Sequence, residues 1–230
     1  MDYEITPIFE RNEKICEEFA HVGVRCLLAS ERDNLFIYKS LGKSYLKEYD
    51  YERNVFAFAA YRNKEMIGFT SGCASGNDMF IRSLYVIPEY QGCGIGTKLL
   101  NASERAASLV AFNMELFSLD SSVGFYKQRG YKKEIVGDRI VETKKLSNVT
   151  KGVVPVFEWR DELRAKLNVC IDYNLLKNYK YKPMFVYVGK ESKIDGVAML
   201  LSDGKEQIYV NNEISKLCKS KLFSALSKIK

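Results

Sequence analysis

Histidine is almost absent from this 230-residue chain; His21 stands alone. Chemistry that needs a pair of histidines is excluded, and a Ser-His-Asp triad would rest on His21 alone. No nucleophile or ligand set lies near it in the sequence, so His21 reads as an incidental helix residue. The six cysteines, Cys16, Cys26, Cys73, Cys93, Cys170 and Cys218, form no CxxC pair. That pattern argues against a zinc site and against a dense disulfide framework, so reduced, mostly buried thiols and no metal are expected. Long apolar runs are also missing. No apolar segment approaches the ~18 residues of a membrane span. Met1 is followed by "DYEITPIFERNEK" instead of the basic start and apolar run of a signal peptide. A soluble, cytoplasmic protein is the expectation.

Hydrophobic residues make up 47% of the chain, enough for a substantial core. Charge is unevenly spread: residues 1–146 hold 20 Lys and Arg against 20 Asp and Glu, whereas residues 147–230 hold 15 against 9. The whole formal charge of +6 therefore sits in the C-terminal third, which suggests two units, 1–146 and 147–230, with different surfaces.

The pattern of apolar residues predicts a definite order of elements. "YEITPI" reads as a strand, and "EKICEEFAHVGVRCLLA" and "DNLFIYKSLGKSYLKEY" have helical spacing. "NVFAFAAYRN" and "EMIGFTSGC" read as two strands joined by a tight turn, and "DMFIRSLYVIP" as a third. A helix from Gly96 to about Leu109, a strand "NMELFSL", a short helix "SSVGFYKQRG" ended by Gly130, and a hairpin around Gly137-Asp138 complete the series. The expected fold class is α/β (α+β), a mixed and mostly antiparallel sheet flanked by helices, with a smaller C-terminal α/β unit.

Within that order, "SLYVIPEYQGCGIGTKLL" runs from a strand through three alternating glycines into a helix. A helix starting directly after a strand offers unsatisfied N–H groups and a partial positive charge, and glycines let an anion come close. The Rossmann pattern fails because Thr97 stands where the third glycine should be, and the Walker A pattern fails because the order is Gly96-Thr97-Lys98. What remains is Q-x-x-G-x-G, supplied by Gln91, Gly94 and Gly96.

This segment resembles the signature of the GNAT superfamily of N-acetyltransferases, Q/R-x-x-G-x-G/A. "SSVGFYKQRGY" is similar to the family's second marker, a small residue followed by Phe/Leu-Tyr and then Gly-Phe/Tyr. The resemblance covers roughly residues 1–146. It implies that Gln91, Gly92, Cys93, Gly94, Ile95, Gly96 and Thr97 hold the pyrophosphate of acetyl-CoA, the co-substrate. It implies further that Leu84, Tyr85 and Val86 pair with the pantetheine arm, that the Val86 N–H polarises the thioester carbonyl, and that Tyr126 protonates the departing thiolate. The chemistry asks for these groups: an amine attacking a thioester passes through an oxyanion, which needs a donor, and sulfur needs a proton source. An acetyl transfer to a primary amine, on a small molecule or a protein, by direct attack in a ternary complex is the implied reaction.

Two departures from the family pattern leave questions open. Where the histone-acetylating branch has a glutamate, eleven residues before the motif Gln, this chain has Phe80. The general base is then Asp78, Glu115 or an ordered water. Leu119 replaces an asparagine that often precedes the tyrosine, which leaves the local hydrogen bonding of Tyr126 open. Cys93, in the middle of the loop, needs only its N–H, although oxidation there should block cofactor access. Lys98 and Arg105 on the following helix are further candidates to meet phosphates.

In the C-terminal unit "SNVTKG" has linker character and "VFEWRDELRAKLNVCIDYNLLKNY" helical spacing. "MFVYVGKESKIDGVAMLL" echoes "VFAFAAYRNKEMIGFTSG", as in a degenerate, partial second GNAT-like unit. No glycine lies between Tyr209 and Leu217, so even a true repeat should not bind CoA. The last helix gathers Leu217, Cys218, Leu222 and Leu226 on one side, which predicts docking on its own domain. A monomer or homodimer with no nucleic-acid partner is expected. The alternative to catalysis is a non-catalytic module that senses acyl-CoA or uses the basic C-terminal unit for interaction.

Overall fold

The structure is a computed structural model describing residues 2–9, 12–30, 56–75, 77–136, 139–146, 151–157, 159, 161–179, 184–201, 203–211 and 216–227. The chain divides into two compact units: Met1–Glu104 with Asn113–Lys145, and Arg105–Phe112 with Leu146–Lys230.

The first unit holds a seven-stranded sheet among the described residues, in the order β1-β2-β3-β4-β5-β7-β6. Its strands are β1 (Glu4–Pro7), β2 (Phe56–Arg62), β3 (Glu65–Ser75), β4 (Asp78–Val86), β5 (Asn113–Leu116), β6 (Lys132–Val136) and β7 (Arg139–Lys145). Helix α1 (Glu13–Ser30) follows β1; its first turn is capped by Asn12, whose Oδ1 accepts from the Ile15 N–H at 3.0 Å. Phe19 of α1 lies flat on Phe69 of β3, ring centroids 4.2 Å apart, and fixes the helix on the sheet. Between β2 and β3, Asn63 and Lys64 both have positive φ, the twist that a two-residue hairpin needs. The expected second helix, 33–49, and the Gly137-Asp138 turn lie outside the described residues.

Every pairing in this sheet is antiparallel except β4 with β5. A parallel pair needs a crossover, and it is supplied by helix α2 (Ile95–Ala107). Leu99 and Leu100 are fully buried, and Ser103, also buried, reaches Thr70 of β3 at 3.4 Å. The β4–β5 ladder is short: only Met79↔Met114, Phe80↔Glu115 and Ile81↔Leu116 pair before β5 stops. β4 runs on to Val86, so its last residues have no β5 partner. The sheet is split there.

A short helix, α3 (Val123–Lys127), follows β5. The Tyr131 N–H returns to the Tyr126 carbonyl at 3.2 Å and the Gly130 N–H to that of Lys127 at 3.1 Å. This double closure requires a left-handed residue, and Gly130 has φ of +87°. Tyr126 is thereby set at a fixed point of the chain.

The second unit has a four-stranded antiparallel sheet among the described residues, order β11-β10-β9-β8. Its strands are β8 (Gly152–Val156), β9 (Met184–Val188), β10 (Ile194–Leu200) and β11 (Glu206–Val210). Leu109, Val154, Leu163, Leu176, Val186 and Val197 are among its core residues. The single helix expected over 156–179 is not found. Val156 ends β8, residues Asp161–Lys166 form a 3-10 turn, and α4 (Tyr173–Asn178) starts separately, with the Asp172 side chain accepting from the Asn174 N–H. Helix α5 (Lys216–Ser227) buries Cys218, Leu222 and Leu226 in this unit, on the side the spacing predicts. The order of three strands and a helix, β9 to α5, repeats that of β2 to α2.

Candidate functional site

A cavity of about 400 Å³ lies in the first unit, bounded by the residues that follow the split in the sheet. It is lined by Leu84 and Val86 of β4, by Tyr90, Gln91, Gly92, Gly94, Ile95, Gly96 and Thr97 of the loop and helix start, and by Ser121, Ser122, Phe125, Tyr126 and Arg129. Two separate stretches of chain, 84–97 and 121–129, therefore converge on one space.

The loop is shaped for an anion. Gly92 and Gly94 have φ of +76° and +79°, and a Cβ built on either would meet nothing within 4 Å. The backbone there is bare and open. The first turn bond of α2 runs from the Lys98 N–H to the Gly94 carbonyl at 3.1 Å, which makes Gly94 the residue before the helix. The N–H groups of Ile95, Gly96 and Thr97 are thus left without intrahelical acceptors, at the positive end of the helix dipole.

The β4 edge supplies a second set of backbone groups. The Ile87 N–H donates to the Ile67 carbonyl of β3 at 3.0 Å. Along a strand, successive residues direct their N–H and C=O to opposite edges, so those of Val86 and Leu84 face away from β3, toward the split. Tyr85 shows its side chain to the opposite face, where it packs on Phe69 with ring centroids 5.5 Å apart. Neither Tyr85 nor Cys93, which is exposed, lines the cavity.

Tyr126 is 7% exposed, with its ring edge-on to Phe125 and Tyr131. Burial, chiefly, with the nearby Glu142 carboxylate and Tyr85, pushes its phenol up to about 12. The proton therefore stays on the oxygen throughout the neutral range. Glu142 itself is buried; its Oε1 accepts from Ser118 Oγ at 2.5 Å, while Oε2 has no hydrogen-bond partner among the described residues. Tyr131 donates to Glu104, which also meets Lys144 Nζ at 2.7 Å.

Residues 53–133 match the family model for the acetyltransferase (GNAT) domain. The match spans about a third of the chain and takes in the glycine loop and Tyr126. Solved structures with the same fold include an N-acetyltransferase from Thermoplasma acidophilum, determined in complex with coenzyme A. It is 19% identical, with a TM-score of 0.51, over 63% of this chain and 99% of that one. A GNAT-family acetyltransferase from Staphylococcus aureus Mu50 is 18% identical, with a TM-score of 0.50, over 63% and 100%. No curated protein matches the chain by sequence.

The remaining candidates sit elsewhere. Asp78 Oδ1 accepts from both the backbone N–H and Nδ2 of Asn113 at 3.0 Å, so it ties β5 to β4. Glu115 has its carboxyl held above the usual range by burial first, then by Asp78 and Glu134. Phe80 packs edge-on against Phe117. Lys98 Nζ lies 4.4 Å from the Tyr3 ring centroid, Arg105 belongs to the second unit, and His21 is exposed. Sequence reasoning missed Arg129 and Glu142. No local motif marks either; Arg129 reaches Thr97, thirty-two positions earlier, and Glu142 is one carboxylate in an alternating strand.

Proposed function

We propose that this protein transfers an acetyl group from acetyl-CoA to a primary amine by direct attack in a ternary complex. One observation carries the reading: the bare glycine loop at a helix N-terminus, the end of β4 that extends beyond its pairing with β5 and the buried Tyr126 all line one cavity. The neutral N–H groups from Gly92 to Thr97 suit a pyrophosphate. The N–H of Val86, on the open edge, would polarise the thioester carbonyl and stabilise charge growing on that oxygen. Tyr126, held protonated, would give its proton to the sulfur as the C–S bond breaks; a thiol, with a pKa of ~8.5, is a stronger acid than this buried phenol, so the transfer is driven by collapse of the tetrahedral intermediate and the phenolate regains a proton from solvent. The attacking amine sheds its proton first, through ordered water. Asp78 is engaged by Asn113, which leaves Glu115 as the carboxylate candidate to assist.

The test is a calorimetric titration with acetyl-CoA of the wild type and of Gly94→Glu, whose side chain would enter the open loop, followed by a thiol-release screen of amines. Saturable binding lost in the variant, with thiol released by at least one amine, supports the reading. Binding without release by any amine class would favour an acyl-CoA-sensing module instead.

A further inference from the structure

Among the described residues lining the cavity, Arg129 is the one that carries a charge. The loop itself, from Gln91 to Thr97, has no basic side chain. Neutral N–H groups can cradle a phosphate, but they cannot neutralise it, and a charge-assisted hydrogen bond is roughly twice as strong as a neutral one.

Arg129 is held ready for that task. Its Nε and Nη2 both donate to Thr97 Oγ1, its Nη1 donates to the Phe125 carbonyl at 2.6 Å, and the guanidinium lies 3.7 Å from the Phe125 ring centroid. Each of these partners is neutral, and no carboxylate pairs with Arg129 among the described residues. A guanidinium has five N–H groups; three are engaged, which leaves one on each terminal nitrogen. The side chain is already ordered before a ligand arrives, so less freedom is lost on binding.

We infer that Arg129 is the residue that recognises the phosphate end of the thioester, and that it makes this site prefer coenzyme A to its unphosphorylated pantetheine fragment. The inference rests on the function proposed above. It also competes with a plainer role, in which Arg129 merely staples the end of α3 to the start of α2 through Thr97.

The two roles separate in a binding experiment on the full chain. CoA and pantetheine are titrated by ligand-observed NMR at low and high salt against the wild type, Arg129→Gln and Arg129→Lys. Arg129→Gln should weaken CoA by about tenfold at low salt, flatten its salt dependence and leave pantetheine binding unchanged. Arg129→Lys, which keeps the charge and loses the staple, should retain the salt dependence. Equal weakening of both ligands in Arg129→Gln, or no weakening of CoA, overturns the inference. A folded wild type with no affinity for CoA overturns the proposed function and this assignment with it, and that outcome is recognised without any variant.

Discussion

Gln91 turns its side chain back toward β4 and donates Nε2 to the carbonyl oxygen of Val86 at 2.9 Å. The glutamine of the loop motif is thus an internal brace. It satisfies a carbonyl on the open edge of the strand and sets where the glycines begin.

Gln91→Ala should therefore weaken acetyl-CoA binding by about five- to tenfold, the worth of one hydrogen bond of about 1 kcal/mol. Gln91→Glu should be worse, because a carboxylate cannot donate to the Val86 carbonyl and adds negative charge beside the loop. Calorimetric titration of both variants decides; equal affinities across the three proteins would remove the brace from the binding argument.

Tyr126→Phe keeps the ring in its contacts with Phe125 and Tyr131 and loses only the hydroxyl. Affinity for CoA should be unchanged, while turnover should fall by about 10²–10⁴, the usual contribution of a positioned proton donor. Turnover equal to wild type at every pH would take Tyr126 out of the mechanism.

The Glu142 carboxylate makes a negative phenolate unwelcome at Tyr126. Removing that charge with Glu142→Gln, which still fits beside Ser118, should lower the pH at which Tyr126 ionises. NMR of 13C-labelled tyrosine reads this directly, with Tyr126→Phe assigning the signal. An unmoved midpoint would mean that burial alone sets the phenol.

Alkaline stability follows from the same kind of shift. Burial chiefly raises Cys26 and Cys218 from 9.0 to about 11 and Tyr126 from 10.0 to about 12. Each group binds its proton more tightly folded than unfolded, so its contribution is fully present below about pH 9. It is lost as the pH climbs through 11 to 12, because the unfolded chain ionises first. Urea midpoints should be flat from pH 7 to 9 and fall beyond; a flat profile up to pH 11 would contradict these shifts.

The contacts that sequence alone could disclose are the local ones. The loop from Gln91 to Thr97 and the segment around Tyr126 are continuous, and their spacing follows from backbone geometry: a left-handed glycine before a helix and Gly130 after one. The residues over 156–179 were open to misreading because Val156, Leu163 and Leu176 are all buried at spacings that a helix could satisfy. Pro155 sits in β8, which the sheet accepts because β8 is an edge strand. Arg129 and Glu142 were illegible for another reason. Their meaning lies in partners brought near by the fold, Thr97 and Ser118, and no periodicity announces such a meeting.

Helix α2 starts at the cavity of the first unit, yet its last residues, from Arg105, are counted with the second, and Leu109 just beyond is 2% exposed in the second unit's core. The border is therefore not a single point on the chain. A truncation after residue 146 would strip Leu109 of Val154, Val186 and their neighbours and leave a greasy stub on the fragment. Gene fusions and domain swaps that treat the two halves as interchangeable cassettes should give insoluble protein unless residues 105–112 travel with the second half.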